Sequence, residues 1–360
     1  TGYLIAGLLI GPHIFNLLST DILSQLNIIS EMALAFIAFS IGSEFGLSYL
    51  KKAGMTPIVI ALCEALLASV LVTGVLMLFG FDTKISLLLG AIAAATAPAA
   101  TIMVVKQYNA KGPVTNTLLS VVALDDAVAL MAFGFVMAIV NSMLNPGQNS
   151  AVVTAILPIV EIVGSVGLGL VLGWLFSIPL RFFKKNSNRL ILTCAFVFLA
   201  NALANFAGLS SLLLCMSMGA ALTNVSSSGR QVFKIVDYIT PPIFLMFFVV
   251  SGAQLDVSIL PEIGVIGVLY LVVRVVGKIA GASLGAHLAK APETVKKYIG
   301  LTLLPQAGVA IGLSLVASNA LPEYGQTIRA VILCATLIYE LVGPAITKIG
   351  LKKAGEIKED

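Results

Sequence analysis

The stretch from residue 120 to residue 130 reads S-V-V-A-L-D-D-A-V-A-L. Its two acids, Asp125 and Asp126, lie side by side in an apolar run of about residues 114–140, which is long enough to cross a bilayer as a helix. No basic residue lies within a helical turn of the pair along the chain. Because an ionisable group at membrane depth is costly, its presence there indicates a functional role.

The composition indicates a membrane protein. Of the 360 residues, 59% are hydrophobic and only 11% are charged, and the mean hydropathy is +1.04. Because soluble domains carry about 25% charged residues, these values predict an all-α polytopic membrane protein. The net charge of +4 is small and lies in short loops, so nucleic-acid binding is not expected. The cysteines are isolated in apolar segments and are predicted to be core residues: Cys63, Cys194, Cys215 and Cys334.

The apolar runs predict about twelve membrane crossings of about 20 residues each. Basic residues cluster after every second segment, from Lys51 and Lys52 to Lys352 and Lys353. Because short cytoplasmic loops are enriched in Lys and Arg, the C-terminus is predicted to be cytoplasmic. The approximate spans are 1–17, 28–47, 56–79, 84–105, 114–140, 151–180, 189–207, 210–224, 238–254, 258–288, 297–317 and 326–347.

Two of these segments are predicted to be broken helices. The fourth contains T-A-P-A-A-T at residues 96–101, and the eleventh contains L-P-Q-A-G at residues 304–308. Proline lacks a backbone donor and clashes with the preceding turn, so both stretches are expected to unwind at membrane depth. The breaks lie seven segments apart, and this odd offset reverses the orientation of the second copy. The pattern predicts an inverted-topology repeat with two crossing discontinuous helices.

Segment ten supplies two candidate basic partners for the aspartates. Lys278 lies about ten residues, or roughly 15 Å, from the inner end of its segment, which matches the depth of Asp125 and Asp126. Arg274 lies one turn higher, so Lys278 is the better match by about 6 Å. Adjacent helical residues point about 100° apart, so one aspartate is expected to face an ion cavity and the other a basic partner.

Such a site works by competition between a proton and a cation. Burial favours the protonated carboxylic acid, whereas a nearby positive charge favours the carboxylate, so the group holds one or the other. Half-helix ends and freed carbonyls are expected to complete an oxygen shell, which hard cations prefer. The hydroxyls of Thr96 and Thr101 are candidates to add to this shell. The residues expected to supply ligands from the broken helices are Thr96, Ala97, Pro98, Thr101, Pro305 and Gln306.

Three further acids lie within predicted membrane segments. Glu64, Glu161 and Glu340 are each isolated and deep enough to need a partner, so each is expected either to hold helices together or to relay protons. Glu340, on segment twelve, is expected to be the inverted-repeat counterpart of the aspartate region.

Together these motifs resemble the monovalent cation/proton antiporter superfamily, and within it the electrogenic bacterial sodium/proton antiporters with an Asp-Asp motif. The matching features are the Asp125-Asp126 pair, the T-A-P-A-A break, R-V-V-G-K ending at Lys278 and the L-P-Q-A-G break. The opening G-Y-L-I-A-G-L-L-I-G-P also resembles a motif of these antiporters. One more helix usually precedes it, so a thirteenth, N-terminal helix is expected to be missing here.

The resemblance implies residue roles and a mechanism. Asp126 is expected to bind the cation or the proton, and Asp125 to pair with Lys278. The resemblance also implies a homodimer in which a core domain slides against a scaffold in an elevator-like motion. The implied divisions are a core of about residues 56–140 and 258–347, a scaffold and dimerisation domain of about residues 1–55 and 208–254, and linker helices at 151–207.

The expected function is secondary active exchange of Na⁺ or Li⁺ for H⁺ across a bacterial plasma membrane, without enzyme chemistry or a resident cofactor. Ala97 and Ala99 replace polar residues found in many relatives, so K⁺/H⁺ exchange stays an alternative. A sodium-coupled organic-anion symporter of related fold is a less favoured one. An intramembrane aspartyl protease would need its aspartates on separate helices, and a passive channel would need no buried lysine.

Overall fold

The computed structural model describes residues 2–47, 54–144, 151–255 and 264–357. Within these ranges every regular element is a helix, which confirms the all-α prediction. The helices are α1 (Gly2–Ile10), α2 (Thr20–Gln25), α3 (Asn27–Ile41), which continues into a 3₁₀ turn (Gly42–Phe45), α4 (Met55–Leu78), α5 (Thr83–Ala93), α6 (Pro98–Gln107), α7 (Pro113–Leu144), α8 (Ala151–Ser177), α9 (Pro179–Phe182), α10 (Asn186–Ala207), α11 (Ser211–Val225), α12 (Gly229–Ala253), α13 (Gly264–Leu288), α14 (Glu293–Thr302), α15 (Gly308–Ala320) and α16 (Pro322–Lys353).

Eight of the helical spans in the described ranges are long and apolar enough to cross a membrane, namely α3 with its 3₁₀ turn, α4, α7, α8 with α9, α10, α12, α13 and α16. Three further helices, α5, α11 and α15, are apolar but shorter. Each predicted segment overlaps at least one helix, while the number of complete crossings stays a prediction.

Two predicted boundaries were wrong. The first helix ends at Ile10 and not near residue 17, because Pro12 has no N–H to continue it and the backbone N–H groups of Leu17 and Leu18 turn back to the Ile10 carbonyl. Helix α12 begins at Gly229 and not near residue 238, so its first turns contain basic residues that were assigned to a loop. Apolar runs report membrane depth, whereas helical hydrogen bonds continue into polar sequence.

The chain divides into two compact units. Among the described residues, the first contains 54–133, 255 and 264–357, and the second contains 2–47, 134–144 and 151–254. The division passes through α7 between Phe133 and Gly134. Whether these units act as core and scaffold stays a prediction.

In the first unit, α13 lies against α4 through glycines at every fourth position: Gly277, Gly281 and Gly285. A Cβ added to Gly277 would lie 2.7 Å from Ala68 Cα, and one added to Gly281 would lie 2.6 Å from Glu64 Cα. Only glycine lets the two backbones approach this closely. This contact brings an acid of α4 and the basic residues of α13 into one interior.

In the second unit, α8 and α11 make a similar contact. A Cβ on Gly169 would lie 2.4 Å from the carbonyl oxygen of Leu214, and one on Gly173 would lie 2.4 Å from that of Met218.

All four cysteines are free thiols, but only Cys215 is fully buried. The other three are half-buried, so the core role predicted for every cysteine applies to this one alone.

Candidate ion-binding site

Both predicted helix breaks are present in the first unit. Residues 94–97 separate α5 from α6, and residues 303–307 separate α14 from α15. The two linkers touch, because the backbone N–H of Ala97 donates to the carbonyl of Pro305 at 2.9 Å. Two discontinuous helices therefore cross where their unwound residues meet.

The threonines of the first break hold the crossing together. The Thr96 hydroxyl lies 3.4 Å from the Leu303 carbonyl oxygen, and the Thr101 hydroxyl lies 3.3 Å from that of Thr302. Both side chains are buried. They lie at the site as expected, and their role as cation ligands stays a prediction.

Gln306 joins the second break to two other helices. Its Nε2 donates to the carbonyl of Ile92 at 3.1 Å and to the Tyr270 hydroxyl at 2.9 Å. Gln306 is fully buried, and its side-chain amide is used in these contacts. It therefore links the second break to α5 and α13.

Lys278 lies at the centre of the site. Its Nζ is 2.6 Å from Glu64 Oε2 and 3.2 Å from Asp125 Oδ2. It also donates to Thr96 Oγ1 at 2.6 Å and to the Ala94 carbonyl. The three charged side chains are fully buried. The structure thus brings Lys278 together with Asp125, the aspartate that the resemblance pairs with it, and α4, α7 and α13 each supply one of the three ionisable groups.

Glu64 is the residue whose place the sequence did not indicate. It was one of three isolated acids, and here it is the nearer carboxylate to Lys278. Its Oε2 has ion-pair distance but not hydrogen-bond geometry, and neither Glu64 Oε1 nor Asp125 Oδ1 has a hydrogen-bond partner among the described residues. The every-fourth-residue glycines of α13 were the available signal, because they mark the face on which α4 packs.

Arg274 serves the broken helices and not the aspartates. Its guanidinium donates to the carbonyls of Ala93 at 3.0 Å, Ala95 at 2.7 Å and Leu304 at 2.8 Å, and it stacks over the Tyr339 ring at 4.5 Å. These carbonyls end α5 and follow α14, where helix dipoles leave partial negative charge. A fully buried guanidinium with several donors satisfies both helix ends at once.

The remaining predicted residues lie around this centre or apart from it. Asp126 follows Asp125 on α7, and both side chains are buried, with Asp126 8% exposed and Asp125 0% exposed. Pro98 begins α6. Glu340 is half-buried on α16 of the first unit, and Glu161 is half-buried on α8 of the second. Neither glutamate is among the described contacts of Lys278.

The charges of this site do not balance when every group is ionised. The two carboxylates that contact Lys278, those of Glu64 and Asp125, would bring two negative charges, and Lys278 one positive charge. Arg274 is engaged with backbone carbonyls. Because uncompensated charge is costly in a buried site, protons or a cation must supply the difference. The arrangement can therefore hold either species in exchange for the other.

Several characterised transporters are similar to this chain. It is 25% identical to the high-affinity Na⁺/H⁺ antiporter NhaS3 of Synechocystis sp., over 87% of this chain and 69% of that protein. It is 22% identical to the ammonium/H⁺ antiporter subunit AmhT of Alkalihalophilus pseudofirmus, over 98% of this chain and 88% of that protein. It is 24% identical to the glutathione-regulated potassium-efflux system protein KefC of an Enterobacter species, and spans 56% of that protein's length.

The fold is similar to that of a solved transporter. The sodium proton antiporter MjNhaP1 from Methanocaldococcus jannaschii, at pH 8, matches 97% of this chain and 91% of its own, with a TM-score of 0.71 and 19% identity. The family described as "Sodium/hydrogen exchanger, transmembrane" matches residues 1–353. With a family match across nearly its whole length, the chain belongs to the sodium/hydrogen exchanger family of multi-pass membrane proteins.

Proposed function

We propose that this protein exchanges Na⁺ or Li⁺ for H⁺ by secondary active transport, with Asp126 binding the cation or the proton in competition. The observation that carries the proposal is the buried Lys278, which contacts Glu64 and Asp125 and donates to Ala94 and Thr96 in the first helix break. Asp126 directly follows Asp125 on α7. Family membership supports cation/proton exchange in general, and the similarity to NhaS3 supports Na⁺ as the cation.

The proposed roles follow from what each group contacts. Asp126 is the carboxylate with some exposure, so it takes the exchanged ion. Asp125 pairs with Lys278, and Glu64 shares the same ammonium. A bound cation or proton at Asp126 reduces the excess negative charge in the same way, which makes the two mutually exclusive.

Transport in proteoliposomes tests the ligand assignment. Asp126→Asn keeps the shape of the side chain but removes its charge, so we expect Na⁺-driven proton movement to fall to the background of empty vesicles. The matched control is Glu323→Gln, which removes an exposed acid at the start of α16 and is expected to leave transport unchanged. Retained exchange by the Asp126→Asn protein would overturn the assignment.

The cation is tested by a panel in the same assay. KefC is named for potassium efflux and AmhT for ammonium/H⁺ exchange, so K⁺ and NH₄⁺ are compared with Na⁺ and Li⁺. We expect Na⁺ and Li⁺ to drive proton movement at lower concentrations than K⁺. The reverse order would favour the K⁺/H⁺ alternative, and Na⁺ uptake that depends on an organic anion would favour the symporter.

We also propose a homodimer in a bacterial plasma membrane, with a cytoplasmic C-terminus and elevator-like movement of the first unit. The division of the chain into two compact units supports such a movement, and the lysines near the end of α16 support the orientation. The molecular mass of the detergent-solubilised protein tests the dimer. A thiol-reactive probe added outside whole cells would contradict the orientation if it labelled a cysteine placed after residue 357.

A further inference from the structure

The chain folds back after its last helix. α16 ends at Lys353, and Gly355 has φ +74°, a left-handed conformation that glycine adopts without strain. The backbone N–H of Glu356 donates to the Leu351 carbonyl, which closes the turn. As a result the Glu356 side chain, near the end of the described chain, points inward and is only 7% exposed.

The Glu356 carboxylate caps the helix that carries the aspartate pair. Its Oε1 accepts from the backbone N–H of Val114 at 2.6 Å, and its Oε2 accepts from the N–H and the hydroxyl of Thr115, both at 2.7 Å. The backbone N–H of Lys111 also donates to the Glu356 carbonyl, at 3.1 Å. Short bonds of this kind to a carboxylate are stronger than those between neutral groups.

The residues before α7 do not cap the start of that helix, which leaves the capping position to Glu356. Pro113 begins the helix and has no N–H, so Val114 and Thr115 carry the first unsatisfied donors. The preceding Gly112 has no side chain to cap them, and a Cβ there would lie 2.3 Å from Glu356 Cδ. The cap of α7 is therefore supplied by a residue more than 240 positions away along the chain.

We propose that Glu356 is a positioning residue for cation binding, because it ties the start of α7 to the end of α16. The inference rests on the proposed function. The polar contacts of α7 include Glu356 at residues 114–115 and Lys278 at Asp125, which are about ten residues or roughly 15 Å apart. When both contacts are made, α7 cannot slide along its axis, so Asp125 and Asp126 keep their position relative to α16 and Lys278.

The other end of this link reaches the second helix break. On α16, a Cβ at Gly343 would lie 2.8 Å from Pro305 Cγ, and the Tyr339 ring stacks on Arg274. Through Glu356, the helix bearing Asp126 and the helix lying against the break are joined at one end. Helix-dipole effects fade within one turn, so Glu356 acts on the aspartates through position and not through its charge.

The test compares variants of Glu356 in the intact protein. Glu356→Ala removes the cap and is expected to raise the apparent KM for Na⁺ about fivefold, with a smaller change in maximal rate per folded protein. Glu356→Asp keeps the charge and is expected to restore part of the affinity. Thr115→Val removes one of the bonds and is expected to have a smaller effect. Glu323→Gln, which removes an exposed acid from the start of α16, is the control for loss of an acid outside this contact.

Hydrogen exchange provides an arm that does not depend on transport. In the Glu356→Ala protein we expect faster exchange at residues 114–116 and also in the turn around Asp125. Faster exchange confined to residues 114–116 would overturn the positioning role. An unchanged KM, or a loss of folded protein without a change in KM, would overturn it as well.

The two proposals can fail separately. If the wild type moved none of the cations tested, the proposed function would fail. If exchange around Asp125 stayed slow in the Glu356→Ala protein, the positioning role of Glu356 would be refuted whatever the transport result.

Discussion

At the scale of single residues, Lys278 has more acceptors around it than protons to donate. An ammonium carries three N–H bonds, and four oxygens surround this one, from Ala94, Thr96, Asp125 and Glu64. They cannot all be satisfied together, so a change of protonation at either carboxylate redistributes the bonds of the lysine. The two carboxylates and the lysine are therefore linked through the hydrogen bonds of one ammonium group.

Removing the lysine alone should be more damaging than removing it with a carboxylate. Lys278→Met leaves Glu64 and Asp125 buried without a cation, and we expect a loss of about 3 kcal/mol in the free energy of unfolding. Lys278→Met combined with Glu64→Gln should recover part of that loss, because one carboxylate no longer needs compensation. Thermal unfolding in detergent measures both proteins, and a double variant no more stable than the single one would argue against the shared pairing.

The membrane depth of these residues could be predicted from the sequence, but the neighbouring helix that each side chain contacts could not. Counting along segments ten and five placed Lys278 level with Asp125, because depth follows from the helical rise. The contact with Glu64 depends on how α4 and α13 are rotated against each other, which the position of an isolated acid in an apolar run does not reveal. Arg274 illustrates the same limit, since its partners are backbone carbonyls that have no signature in sequence.

At the scale of helices, prolines and glycines determine most of the arrangement of the first unit. Pro98 and Pro305 marked both breaks correctly, since a missing donor has a local effect on the backbone. The cap from Glu356 escaped prediction because the two ends of the contact are remote in sequence. The close approach of α4 and α13 was likewise visible only once the partner helix was known.

This close approach leads to a stability prediction. Gly285→Ala would put a Cβ 2.8 Å from Ile60 Cα and 3.0 Å from Cys63 Cβ, so we expect a loss of about 1–3 kcal/mol in the free energy of unfolding. Gly267→Ala on the same helix is the matched control, because nothing lies within 4 Å of its added Cβ. There alanine should be neutral or stabilising by up to about 1 kcal/mol. Equal effects at both positions would show that packing against α4 is not what the glycine serves.

At the scale of the whole molecule, the proposed exchange requires that the site bind its cation in competition with protons, and this competition can be measured at equilibrium. The low share of charged residues and the twelve apolar segments predicted the class of protein, because each membrane crossing must satisfy its own backbone. Composition carries no information about which cation binds.

Binding of Na⁺ should therefore stabilise the folded protein, and more so as pH rises. A ligand that binds only the folded state adds about 2.7 kcal/mol at one hundred times its Kd. At low pH the carboxylates of the site carry protons that Na⁺ must displace, so its apparent Kd increases and the stabilisation shrinks. At high pH no proton competes, and the Tm should increase with Na⁺ concentration. Thermal unfolding with Na⁺ or choline chloride at equal ionic strength measures the difference, and Asp126→Asn should abolish it. A Na⁺-dependent shift of equal size at every pH would mean that the cation binds without displacing a proton, which is incompatible with exchange at this site.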